Sequence, residues 1–256
     1  MGLVRLIYTL PYLFVGYFLV EPPPLDKVFW LCIAGGLPLE LIAFLCYMRA
    51  IKVSPLSLTL PFMAFTPAFM IITGHIILDE TLSRGGIIGI ALIVAGAYLM
   101  NLNKIRDQFL APFKAIFLEK GSWLMLIVAF LYSITSTIGK LAIIHSSPTF
   151  FGFTYFLMFS FLLMAIFPLV PDARISNIVK RPVPAICSGM VLVIMILCHT
   201  LAISLIQAAY MISIKRSSVL FGVFFGSIIF KEEKFKERLS GASVMMAGVI
   251  LIGIYG

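Results

Sequence analysis

Apolar runs long enough to span a membrane, broken by short polar turns, recur along the whole chain. A helix needs roughly 20 such residues to cross a bilayer. The pattern predicts about nine spans, near 3–20, 28–48, 56–78, 86–102, 122–144, 149–170, 184–206, 208–230 and 239–255. Pro22, Pro23 and Pro24 separate the first two, and Pro55 opens the third as a first-turn proline does. Ser83 and Ser240 stand where helix N-caps are wanted. Residues 103–120 mix charge with spaced Leu and Phe, which suits a segment lying along the membrane surface.

The spans are not independent. Gly89 to Gly241, Gly96 to Gly248 and Glu80 to Glu232 are each 152 residues apart. One offset through a helix and the acidic turn before it marks a duplication, which outranks any single motif in deciding the fold. The offset pairs four spans of the second half with the first four, and the counterpart of 122–144 would fall before residue 1. The expected architecture is an all-α polytopic membrane protein, an inverted repeat of five-helix units with the first helix of the first unit missing. Residues 1–102 form the first repeat of four spans, 103–121 an interfacial linker, and 122–256 the second repeat of five spans. A unit with an odd number of spans fused to its copy must place the two upside down relative to each other, a plan of secondary transporters with the site between repeats.

Composition agrees. Apolar residues make up 61% and charged ones 12%, where soluble domains carry about 25% charge, and the mean hydropathy is +1.10. The expected location is a multi-pass integral position in the plasma (inner) membrane. Glu21 and the three prolines follow the first apolar run in place of a small-residue cleavage site, so that run reads as a retained span. Cys32, Cys46, Cys187 and Cys198 lie inside apolar runs without paired spacing, as small buried hydrophobes. The net charge of +8 sits in loops, with no nucleic-acid face. Fourteen loop lysines and arginines, from Arg5 to Arg238, fall on one side, and only Lys27 and Arg84 on the other. The positive-inside rule then puts the N-terminus in the cytoplasm and the C-terminus outside.

Pro55-Leu-Ser-Leu-Thr-Leu-Pro61, Thr66-Pro67, and Glu80-Thr-Leu-Ser83 ahead of Gly89 and Gly96 resemble the drug/metabolite transporter superfamily in its EamA-type branch. Phe230-Lys-Glu-Glu233, Arg238-Leu-Ser-Gly241 and Gly248-Val-Ile-Leu251 are similar to that family's second repeat. The resemblance covers nearly the whole chain and implies ten helices, a central cavity lined by both repeats, alternating access, and both termini in the cytoplasm. This chain departs in its missing first helix and in the outside C-terminus that its charges favour.

A charge at the centre of a span costs at least about 2.5–3.5 kcal/mol, so each one is a functional candidate. Glu40, Lys140 and the Lys215–Arg216 pair qualify. Neighbouring helical residues point about 100° apart, so at most one of Lys215 and Arg216 faces squarely into a cavity. One of the two, with Lys140, is the candidate to attract a carboxylate or phosphate; the alternatives are an ion pair with Glu40, or snorkelling. Glu40 is either a proton-coupling carboxylate or the counter-ion of one of these cations. His199 is mid-span, either a packing residue or a relay. Tyr132, Tyr155 and Tyr210 could line a substrate path, and the polar run 132–137 could equally serve hydrogen bonds between helices. Pro61 and Pro67 remove backbone hydrogen bonds from the 56–78 span and are candidate hinges. The acidic turns at Asp79-Glu80 and Glu232-Glu233 read as caps on the helices that follow them.

No nucleophile–base pair, phosphate loop, cofactor motif or metal-ligand spacing is present in the sequence, which argues against an enzyme or an ATP-driven pump. The leading expectation is a secondary-active transporter of a small polar metabolite carrying an anionic group. The alternative is a non-transporting structural or regulatory membrane protein that kept the fold and lost the first helix. Its partners are a small-molecule substrate and the bilayer, with no cofactor, no metal and no nucleic acid, as a monomer or homodimer.

Overall fold

The computed structural model describes residues 2–54, 59–102, 120–166, 182–218, 221 and 235–256. Among them the regular structure is helical, as it must be where no water can satisfy backbone groups. The helices are α1 (Gly2–Leu19), α2 (Lys27–Val53), a 3-10 segment (Leu60–Phe65), α3 (Thr66–Leu78), α4 (Arg84–Leu102), α5 (Lys120–Ile144), α6 (Pro148–Ile166), α7 (Pro182–Leu205), α8 (Ala208–Arg216) and α9 (Phe235–Tyr255). By length and apolar content, Lys27–Val53, Lys120–Ile144, Pro148–Ile166 and Val183–Leu205 can each cross a membrane. Leu31, Ile76, Val191 and Ile250 are exposed, as side chains facing hydrocarbon are.

The 152-residue offset survives in the helix boundaries. It carries α2 onto 179–205, beside α7 at Pro182–Leu205, and α4 onto 236–254, beside α9 at Phe235–Tyr255. Three details differ from expectation. The span expected at 208–230 does not begin as one long helix, because α8 ends at Arg216 with Ser217 as its C-cap. Ser240 does not cap the last helix, which begins at Phe235, more than a turn earlier. The span at 56–78 is not one helix: a 3-10 segment gives way to α3 at Thr66. Pro61 falls in the 3-10 segment and Pro67 in the first turn of α3, where a missing N–H leaves no helical bond unmade. Of the interfacial linker expected at 103–121, residues 120 and 121 already belong to α5; residues 103–119 and the turn at 232–233 lie outside the described residues.

The chain divides into two compact units, one of residues 1–41 and 138–205, the other of 42–137 and 206–256. In the first, α1 packs on α6 and α7 around Leu13, Phe153, Leu157, Val193 and Ile196. Asp26 caps α2 there, its Oδ1 accepting the Phe29 N–H at 2.9 Å, and its Oδ2 lies 2.6 Å from His145 Nδ1 at the end of α5. In the second, α5 is seated on α2 and the 3-10 segment around Ala50, Phe62, Met125 and Val128. Gly121 at the start of α5 donates its N–H to Ser54 Oγ at 3.2 Å.

The second unit also holds the closest helix crossing, between α4 and α9. A Cβ on Gly89 would come 2.9 Å from the Gly248 carbonyl, and one on Gly248 would come 2.6 Å from the Gly89 carbonyl. Gly96 meets Gly241 in the same way, at 2.6 Å. Rising numbers on α4 therefore meet falling numbers on α9, so the crossing is antiparallel. The offset turns Gly89 into Gly241 and Gly96 into Gly248, so the two contacts exchange under it. That is the local signature of an inverted repeat, and it rests on small residues that let two backbones touch.

Candidate functional site

Arg216 closes α8, whose residues Ala208 to Ser213 are buried. The pair 215–216 resolves by azimuth: Lys215 is exposed, while Arg216 is half-buried with its Nε shielded from solvent. Both stand in the last turn of α8, where positive charge suits the helix dipole. One Arg216 Nη2–H donates to Thr66 Oγ1 at 3.2 Å, and the Thr66 hydroxyl passes its own hydrogen to Met63 O at 2.8 Å. The phenols of Tyr132 on α5 and Tyr47 on α2 lie within electrostatic reach of the guanidinium. Both rings pack against the Ala50–Phe62–Met125–Val128 core, so the arginine and the two phenols belong to one compact unit. Arg216 Nε has no hydrogen-bond partner among the described residues. A buried N–H without an acceptor costs about 1–3 kcal/mol or more when charged.

Of the residues expected to form a site, Arg216 and Tyr132 are thus brought together. Tyr210 is buried and tied elsewhere: its oxygen accepts the Ser83 N–H at 2.9 Å. Lys140, Glu40, His199 and Tyr155 belong to the other unit, on α5, α2, α7 and α6. Lys140 is buried, and Glu40 and His199 are half-buried. Tyr155 stacks on Phe151 at 5.1 Å, and its hydroxyl lies 3.5 Å from where a Cβ on Gly36 would be. Gly36 shares a face of α2 with Glu40, about 6 Å along the axis.

The polar run of α5 serves mainly helix contacts. Thr73 Oγ1 on α3 lies 3.1 Å from Thr137 Oγ1, and Thr137 donates to Ser133 O at 2.7 Å, which leaves Thr73 as the donor between them. Tyr47 and the Asp26–His145 pair were not expected from the sequence. Asp26 was findable, as an N-cap residue just ahead of an apolar run; nothing in the local pattern marks Tyr47. Among the described residues no three of His, Cys, Asp and Glu are grouped to hold a metal ion.

A search of curated proteins finds none that matches the chain. The profile of the EamA-like transporter family matches residues 1–102 and 119–254, which take in nearly all the described residues of both units. With helices suited to a bilayer and a match over most of its length, this chain is an integral membrane protein and belongs to the EamA-like transporter family.

Proposed function

We propose that this protein is a secondary-active transporter that moves a small polar metabolite bearing an anionic group, by alternating access, across the plasma (inner) membrane, and that Arg216 attracts the anion. One observation carries this reading. Among the described residues the buried Nε–H of Arg216 meets no acceptor, and no carboxylate pairs with the guanidinium. A guanidinium presents planar, paired donors that match a carboxylate or phosphate in a bidentate fork. Here Thr66 engages one edge of that fork and leaves the Nε–H for a ligand. The phenols of Tyr132 and Tyr47 lie within electrostatic reach of it. Lys140, with Glu40, His199 and Tyr155, forms the remaining candidate set, and Glu40 is the group a coupling proton would use.

The test is thermal stabilisation of the purified protein across anionic, zwitterionic and cationic metabolites. A ligand at a hundred times its dissociation constant adds about 2.7 kcal/mol. Stabilisation by anions, abolished by Arg216→Gln and kept by Lys215→Gln, is the expected result. Stabilisation by cations alone, lost in Glu40→Gln, would overturn the anion assignment. A folded protein that no metabolite stabilises would favour the non-transporting alternative.

A further inference from the structure

The acidic turn between α3 and α4 does not cap the helix that follows it. Ser83 does that, its Oγ accepting the Gly86 N–H at 2.9 Å and its carbonyl the Ile87 N–H at 3.0 Å. Glu80 instead reaches a helix 128 residues away. Both its carboxylate oxygens accept the N–H of Ala208, the first residue of α8, at 3.2 and 3.0 Å. The residue at the cap position of α8 is Gln207, whose side chain makes no capping bond. The turn is shaped for this reach. Asp79 takes left-handed backbone angles (φ 52°) at the end of α3, and the Glu80 N–H returns to Gly74 O at 3.2 Å, which brings Glu80 back across the helix end. Gly74 leaves the room: a Cβ there would come 3.2 Å from Glu80 Oε2. A second tie holds the same helix one residue pair on, from Tyr210 to Ser83, with the Tyr210 ring filling the space above Gly86.

We infer that Glu80 is a positioning residue for Arg216, a clasp that fixes where α8 begins and so where the guanidinium ends, eight residues or about 12 Å further along the axis. The inference rests on the reading of Arg216 as the anion's partner for its functional meaning. A carboxylate at the N-terminus of α8 and an arginine in its last turn both favour the same helix dipole, so α8 is held by charge at both ends. A nine-residue helix is marginal alone, and its seating depends on such outside contacts. The two residue types recur in the sequence: the 152-residue offset that takes Glu80 to Glu232 also takes Gly74 to Gly226.

The experiment measures the place of α8 without any ligand. In the full chain with its four cysteines replaced, Thr66→Cys and Arg216→Cys are joined by a short thiol cross-linker, and Thr73→Cys with Thr137→Cys is the control pair in the same unit. Glu80→Ala is expected to slow the 66–216 cross-link at least tenfold and leave the 73–137 rate unchanged, while Glu80→Gln, which keeps one acceptor, restores most of the rate. An unchanged 66–216 rate in Glu80→Ala overturns the clasp, and so does equal slowing of both pairs, which would mean general loosening. Titration of wild type and Glu80→Ala (cysteines and Arg216 intact) with inorganic phosphate reads the two ideas apart. Weaker binding in Glu80→Ala joins them, and a cross-link effect with no phosphate binding even in wild type leaves the clasp standing and removes the anion site.

Discussion

Ser83 has one hydroxyl and uses it three ways. It accepts from the Gly86 N–H and from the Tyr210 hydroxyl, and donates to the Tyr255 carbonyl. At a helix start, where backbone N–H groups lack intrahelical partners, one such side chain satisfies several groups at once. Glycines show the same local logic through size. A Cβ at Gly96 would come 2.6 Å from both the Gly241 carbonyl and the Met245 nitrogen, backbone atoms that cannot yield, whereas Gly253 meets nothing within 4 Å. Gly96→Ala is expected to destabilise by about 1–3 kcal/mol, and Gly253→Ala to be neutral or slightly stabilising, since alanine suits a helix better. Chemical denaturation of the two variants side by side decides this, and equal midpoints would contradict it. At Asp26 the governing contact is electrostatic. The Phe29 N–H above all, opposed in part by desolvation and aided by His145, holds the carboxyl below the usual range. The folded state therefore favours the ionised form. Its contribution is full above the unfolded value of about 3.9 and is lost as pH falls through the lower folded value. Amide exchange at Phe29 should accelerate below about pH 4, and Asp26→Asn, still a good cap, should remove that step. A step of the same size in the variant would show that another group is responsible.

Between elements, hydroxyl pairs do work that charges do in soluble proteins. The Thr73–Thr137 bond joins α3 to α5, and a double-mutant cycle with valine at both positions should return a coupling near 0.6 kcal/mol, and under about 2. Zero coupling would make the contact incidental. The helices themselves were legible in the sequence, because lipid forces every apolar run of sufficient length into one structure. Their ends were less so. Ser240 satisfies the local rule for a cap, yet the polar residues before it continue the helix back to Phe235. Glu80 was read as a cap from its charge alone, which was right in kind. Its helix was the wrong one, because local pattern cannot tell a near N-terminus from one folded back over 128 residues. Arg216 was legible by the cost of placing a charge in a span, but its choice over Lys215 depends on helix azimuth, which only packing sets.

At the scale of the molecule, each compact unit draws on both halves of the sequence: residues 1–41 join 138–205, and 42–137 join 206–256. The 152-residue offset relates the two halves of the sequence, while the compact units are units of packing. The α4–α9 crossing shows how the two are reconciled. Its contacts, Gly89 with Gly248 and Gly96 with Gly241, exchange when one repeat is relabelled as the other. A pair of contacts that exchange when the partners are swapped is one that two identical chains can make. Two copies of one unit, the second inverted, could meet through such a surface, with one glycine pair serving both sides.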